Sequence, residues 1–301
     1  MDRRFITLIA LLSLVLLSAC GIKLGQSKEQ AANLDDAHKG INGVTINFVN
    51  NNPPALVFTG TPLDVIVELK NQGATPVVGG TLYLSGYDTR LFNLQPSSKQ
   101  FNLDARSKFN VVGGYETVDF TSGNVFLPQG AETFSQTLLA TACYKYRTEA
   151  RIPVCIDPNP ISVLESESCR VTNPSVGGGQ GAPVAVTAVR EDAAPGQVGF
   201  LITINNQGNG DVIDQFSLGK CPFDLRFNDV DVIQYSASLS GNAGVCQPVT
   251  KTRLSNKQGT IYCTFKLGDA KGSAYTTVLE LNLDYGYVTK LSKTIQIKSI
   301  G

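Results

Sequence analysis

Residues capable of chemistry are unevenly supplied in this 301-residue chain. It has one histidine, His38, against seven cysteines and 25 acidic side chains. His38 precedes the first strand-like segment, so His-dependent triads and imidazole metal sites are not expected in the folded region. A pair of carboxylates can hydrolyse glycosides without histidine. However, Asp64, Glu68, Asp214, Asp229, Asp231 and Glu280 mostly alternate with apolar residues or sit beside turns. Nothing singles out two of them, so the expectation is a non-catalytic chain.

The cysteines carry more information. Arg3 and Arg4 precede an apolar run, Phe5 to Leu17, that is too short for a comfortable membrane span and has the length of a signal-peptide core. It ends in Leu17-Ser18-Ala19-Cys20-Gly21, which resembles the lipobox of prokaryotic lipoproteins. The resemblance implies cleavage after residue 19, lipid on Cys20, and a lipid hold on the outer face of a membrane. Loss of Asp2, Arg3 and Arg4 takes the 25 basic and 25 acidic residues to 23 and 24, a mature charge of −1. Without a Lys/Arg cluster, nucleic acid is not an expected partner.

Six cysteines remain: Cys143, Cys155, Cys169, Cys221, Cys246 and Cys263. An even number in an exported chain reads as three disulfides, and the absence of CxxC argues against zinc. Cys143 and Cys155 flank "YKYRTEARIPV", read as a hairpin turning near Glu149 that sets the two cysteines opposite each other, outward from the core. Cys246 and Cys263 flank a second strand–turn–strand pattern. Cys169 with Cys221 is then the remaining pair, although other pairings among these last four stay open.

Two binding chemistries merit naming. Asn206, Asn209, Asp211 and Asp214 in "NNQGNGDVID" offer the oxygen ligands calcium prefers. Their spacing is not that of an EF-hand loop, and Asn, Gly and Asp are also common turn residues, so an ordinary turn is the reading adopted. No cofactor is expected beyond the lipid on Cys20. For a glycan-binding face, Tyr83 and Tyr87 are the candidates, because Leu82 and Leu84 take the opposite parity from Tyr83. The chain has no tryptophan.

The elements positioning these residues are strands. "LDVIVELK" (63–70) and "VGFLITIN" (198–205) alternate apolar and polar residues with period two. Each runs into the same tripeptide, Asn71-Gln72-Gly73 and Asn206-Gln207-Gly208, and places a valine four residues later, Val77 and Val212. Glycine there suits a tight turn with positive φ. A second match, shifted by 141, sets Tyr144, Tyr146 and Thr148 on Tyr285, Tyr287 and Thr289 of "DYGYVTKLSKTIQI", also read as a closing hairpin. The tyrosines share parity with Leu279, Leu281 and Leu283, a buried face.

These repeats predict an all-β chain: two tandem immunoglobulin-like β-sandwich domains behind an N-terminal lipoprotein signal peptide. The divisions are signal peptide 1–19, lipidated cysteine and tether 20–42, first sandwich 43–160, linker and entry 161–182, and second sandwich 183–301. The apolar strand, Asn-Gln-Gly and late "LxYxY…K-T-I-x-I" pattern resembles CARDB-like domains of prokaryotic surface proteins. That resemblance implies an adhesion, scaffold or spacer module; with the lipobox, the expectation is an adhesion, scaffold or assembly module, extracytoplasmic and membrane-anchored at the cell surface or outer membrane. The expected partners are envelope or surface proteins. A glycan- or solute-binding envelope lipoprotein is the alternative.

Overall fold

A computed structural model describes residues 37–158, 160, 169–174, 176–177, 179–268 and 273–300. The expected leader, the lipidation at Cys20 and most of the tether lie outside the described residues. The first half supplies β1 (Val44–Phe48), β2 (Leu56–Phe58), β3 (Pro62–Asn71), β4 (Val77–Ser85), β5 (Ser98–Leu103), β6 (Tyr115–Asn124) and β7 (Thr133–Ile156). The second half supplies β8 (Val184–Ala194), β9 (Gln197–Asn206), β10 (Asp211–Ile213), β11 (Val232–Leu239), β12 (Asn242–Ala243), β13 (Val245–Gln247), β14 (Lys251–Arg253), β15 (Gln258–Lys266) and β16 (Tyr275–Lys298). Two short 3-10 turns, Gln215–Lys220 and Phe227–Asp229, interrupt the second half. The protein is all-β, and its strands are the period-two segments: in β3, Leu63, Val65, Val67 and Leu69 are all buried.

Among the described residues, three sheets form the body. One has the order β1-β3-β6 and another β13-β15-β9-β8. The third runs β12-β11-β16-β7-β4-β5, with β10 and β2 also on β16 and β14 on β11. All pairings are antiparallel except β2 with β16. The first two sheets repeat each other, since β1-β3-β6 corresponds to β8-β9-β15. One continuous apolar cluster draws on all three sheets, from Val44, Phe120 and Tyr144 to Phe200, Ile261 and Tyr285.

Neither expected closing hairpin forms. β7 and β16 are single 24-residue strands, and they pair with each other along their whole length, from Tyr275↔Ile156 to Lys298↔Thr133. The stretch Lys145–Arg151 contains no Gly, Pro or Asn to break it, so the strand runs straight through the expected turn at Glu149. The ladder makes the halves continuous, and the described residues form one compact unit. Just before β8, Gln180 brackets Val186, accepting from its N–H (2.8 Å) and donating to its C=O (3.1 Å).

The straight strand rules out the expected Cys143–Cys155 disulfide. Twelve residues of extended chain separate Cys143 from Cys155 by about 40 Å, so they are not bonded to each other. Cys143 is bonded to Cys221 and Cys155 to Cys169, which also replaces the expected Cys169–Cys221 pair. Cys246 is bonded to Cys263, its direct cross-strand partner in β13 and β15. Three disulfides indicate an oxidising, extracytoplasmic environment. Among the described residues no helix is long and apolar enough to cross a membrane.

Candidate functional site

The seam between β7 and β16 gathers the residues most nearly capable of function. On its inner face stand four buried tyrosines: Tyr144, Tyr146, Tyr285 and Tyr287. The registers Tyr144↔Tyr287 and Tyr146↔Tyr285 make the ladder its own repeat in reverse, a local pseudo-two-fold. Ring centroids lie 5.7–6.5 Å apart among these rings and Phe101, the spacing of edge-to-face and tilted aromatic packing.

Each hydroxyl has a structural partner, matched across the halves. Tyr146 Oη donates to Asn71 Oδ1 and Tyr287 Oη to Asn206 Oδ1, both at 3.1 Å. Those asparagines also accept from Gly73 N and Gly208 N, and donate to Thr75 O and Gly210 O. Tyr144 Oη accepts from Val44 N (3.0 Å) and Tyr285 Oη from Val184 N (3.3 Å). Thr289, from the second half, donates to Val44 O, and Thr148, from the first, donates to Val184 O. Each half therefore helps pin the first strand of the other. Burial pushes all four phenols up, that of Tyr287 to about 12, so they stay neutral and are not bases.

The Asn-Gln-Gly glycines have a different reason from the one expected. Neither Gly73 nor Gly208 has positive φ. A Cβ on Gly73 would overlap Tyr146 Oη, and one on Gly208 would overlap Tyr287 Oη. The glycine permits the tyrosine's close approach.

On the rim of the seam lies a 460 Å³ cavity between the halves, lined in part by His38, Thr75, Lys145, Arg147, Gln180 and Asp284. Arg147 makes a bidentate pair with Asp284, at 2.8 and 3.1 Å. Their opposition follows from Asp284↔Arg147 in the ladder and was invisible while each strand was read as a separate hairpin. Charged and hydrogen-bonding groups line the cavity, a chemistry suited to recognition of a polar ligand.

Cys143 does point away from the tyrosine face, but it is covered. It forms a small second core with Ile213, Cys221 and Val288 beneath residues 214–230. Asp229 knots that segment: its carboxylate accepts from Lys220 Nζ (2.7 Å), Ser217 Oγ (2.6 Å) and the Arg226 N–H (2.9 Å). Those bonds hold its pKa well below the usual carboxylate range. Phe216, Phe223 and Phe227 nevertheless remain exposed on this segment. Sequence reasoning passed over them because no periodicity marks the stretch.

The residues singled out from sequence are not assembled into one site. Tyr83 packs edge-on to Phe223 at 6.0 Å, whereas Tyr87 stacks on Phe92 at 5.1 Å and bonds to Leu94 O, so they form no shared aromatic platform. Asn206 is committed to the turn, Asp211 pairs with Lys290 at 2.7 Å, and Asp214 caps a 3-10 turn through Phe216 N. Asn209 lines a separate 260 Å³ cavity with Asn42 and Tyr287. Among the described residues no three His, Cys, Asp or Glu side chains are grouped to hold a metal.

No family model matches the chain, and no curated protein matches it. Among solved structures, a DUF4466 family protein from Parabacteroides merdae aligns over 81% of this chain and 99% of its own, with 8% identity and a TM-score of 0.17. A likeness that slight carries no argument about fold or function.

Proposed function

We propose that this chain is a non-catalytic, extracytoplasmic lipoprotein, anchored through lipid on Cys20, whose two immunoglobulin-like sandwiches act as one rigid adhesion or assembly block. The 24-residue β7–β16 ladder carries this reading. A ladder of that length, clasped by tyrosine contacts from both sides and tied across the halves by Cys143–Cys221, resists bending between the halves. That suits a module that holds a binding surface at a fixed position outside the membrane. The CARDB-like sequence pattern is in keeping with it. Its partners would be envelope or surface proteins.

Crosslinking pull-down from intact cells carrying the native protein tests the proposal, together with fractionation of a Cys20→Ser variant. Co-purified envelope subunits, and release of the variant from membranes, are expected. Recovery of no protein partner, or unchanged membrane association of the variant, would count against it. The 460 Å³ cavity between the halves favours a second reading, a glycan- or solute-binding lipoprotein. Ligand or glycan recovered with the protein would support that reading instead.

A further inference from the structure

The loop joining β5 to β6, residues 104–114, departs from the rule that loop tips are polar. Phe109 is 88% exposed, Val111 55% and Val112 56%, and Ile41 at the chain's entry is 40% exposed. Apolar groups left in water on one loop mark an interaction surface. The loop is built to hold them. Ser107 N donates to Asn110 O at 2.9 Å, Asn110 N to Ser107 Oγ at 3.0 Å, and Gly113 N to Asn110 Oδ1 at 3.1 Å. Gly113 has φ +82°, and a Cβ there would overlap Asn71 O.

Two further observations say what covers it. The first is position. The described chain enters at residues 37–41 directly beside this loop: Arg106 donates to Lys39 O (3.5 Å), Gln72 O (3.3 Å) and Val111 O (3.3 Å). Gly40, Ile41, Val111 and Val112 line one 330 Å³ hollow there. Cys20 lies 17 positions before residue 37 (37 − 20), a reach of at most about 60 Å even fully extended. The second is charge. Lys70 and Arg106 line that hollow beside Val111 and Val112, and Lys108 Nζ lies 4.7 Å from the Phe109 ring centre. An apolar tip within a basic rim, beside the point where an anchor enters, matches the anionic headgroup layer of a bilayer.

We infer that residues 104–114 and Ile41 dock on the membrane that holds the anchor, with Phe109 and the two valines entering the headgroup–acyl boundary. This rests on the proposed lipidation, and the test separates the two. Because the chain lacks tryptophan, Phe109→Trp and, as control, Phe223→Trp each give a single indole reporter. The lipidated chain and an unlipidated chain beginning at residue 21 are mixed with vesicles of brominated phosphatidylcholine and phosphatidylglycerol. Flotation of the lipidated form alone tests the anchor.

In both forms the indole at position 109 is expected to be quenched about twofold or more once vesicle-bound, and the one at 223 not. For the unlipidated form, Lys108→Glu combined with Phe109→Ser should weaken vesicle partition about tenfold, and added salt should weaken it as well. An unquenched reporter at 109 on floated protein, or equal quenching at both positions, overturns the docking while leaving the anchor standing. Quenching at 109 in both forms, with the lipidated form floating no better than the unlipidated one, upholds the docking and removes the anchor.

Discussion

Tyr144 and Tyr287 face each other across the β7–β16 ladder with ring centroids 6.0 Å apart. Under the 141-residue repeat each stands where the other's neighbour would, since 144 + 141 is 285 and 146 + 141 is 287. The seam is thus a small symmetric aromatic core whose hydroxyls end on backbone and asparagine groups of both halves.

Because the two asparagine anchors are equivalent, Tyr146→Phe and Tyr287→Phe should destabilise the protein by similar amounts, about 1 kcal/mol each. Denaturant melts of the two single variants and the double variant check this. A cost confined to one half would show that the halves are not structurally equivalent.

Gly73→Ala and Gly208→Ala should cost more than either hydroxyl deletion, about 2–3 kcal/mol, because the new methyl displaces a buried tyrosine oxygen. Thermal denaturation of each variant is the measurement. Variants as stable as the parent would mean the turn has room that the geometry denies.

High pH should unfold the protein steeply. The four seam phenols have raised pKa values caused chiefly by burial, Tyr287 at about 12, against an unfolded value near 10. Their contribution is complete below pH 10 and is lost as pH rises toward the folded values. Four such groups give a slope of up to about 5 kcal/mol per pH unit. Tyrosinate absorbance should show four of the ten tyrosines ionising only as the circular dichroism signal collapses.

Glu191 should have an effect near neutrality. Its two carboxylate oxygens are buried without a hydrogen-bond partner, and burial, followed by the charge of Asp157, raises its pKa to about 7. Stability from this group is complete below the unfolded value near 4.5 and is lost as pH rises to about 7. Glu191→Gln should therefore stabilise the protein at pH 8 by about 1 kcal/mol, after allowance for solvent screening, and leave it unchanged at pH 4. Melting curves at the two pH values decide it.

Much of the fold was readable from residue patterns, and the rest failed for identifiable reasons. Period-two alternation marked β3 and β9 and turned the tyrosines inward, because a buried strand face imposes that period whatever it packs against. The repeat was visible in Asn71-Gln72-Gly73 and Asn206-Gln207-Gly208, although its cause is close approach by Tyr146 and Tyr287. Alternation does not say where a strand ends. Lys145–Arg151 has no turn former, and reading a hairpin there gave Cys143 the wrong partner. The Arg147–Asp284 pair and the covering of Cys143 by residues 214–230 depend on contacts 137 and 78 positions apart, which no local pattern encodes.

The central claim is that two copies of one β unit are fused, outside the cytoplasm, into a single body along β7 and β16. Non-reducing peptide mapping of protein purified from its host's membranes tests it most directly. The account requires Cys143–Cys221, Cys155–Cys169 and Cys246–Cys263, the first of them joining the two halves. Free thiols, or a bridge between Cys143 and Cys155, would contradict it.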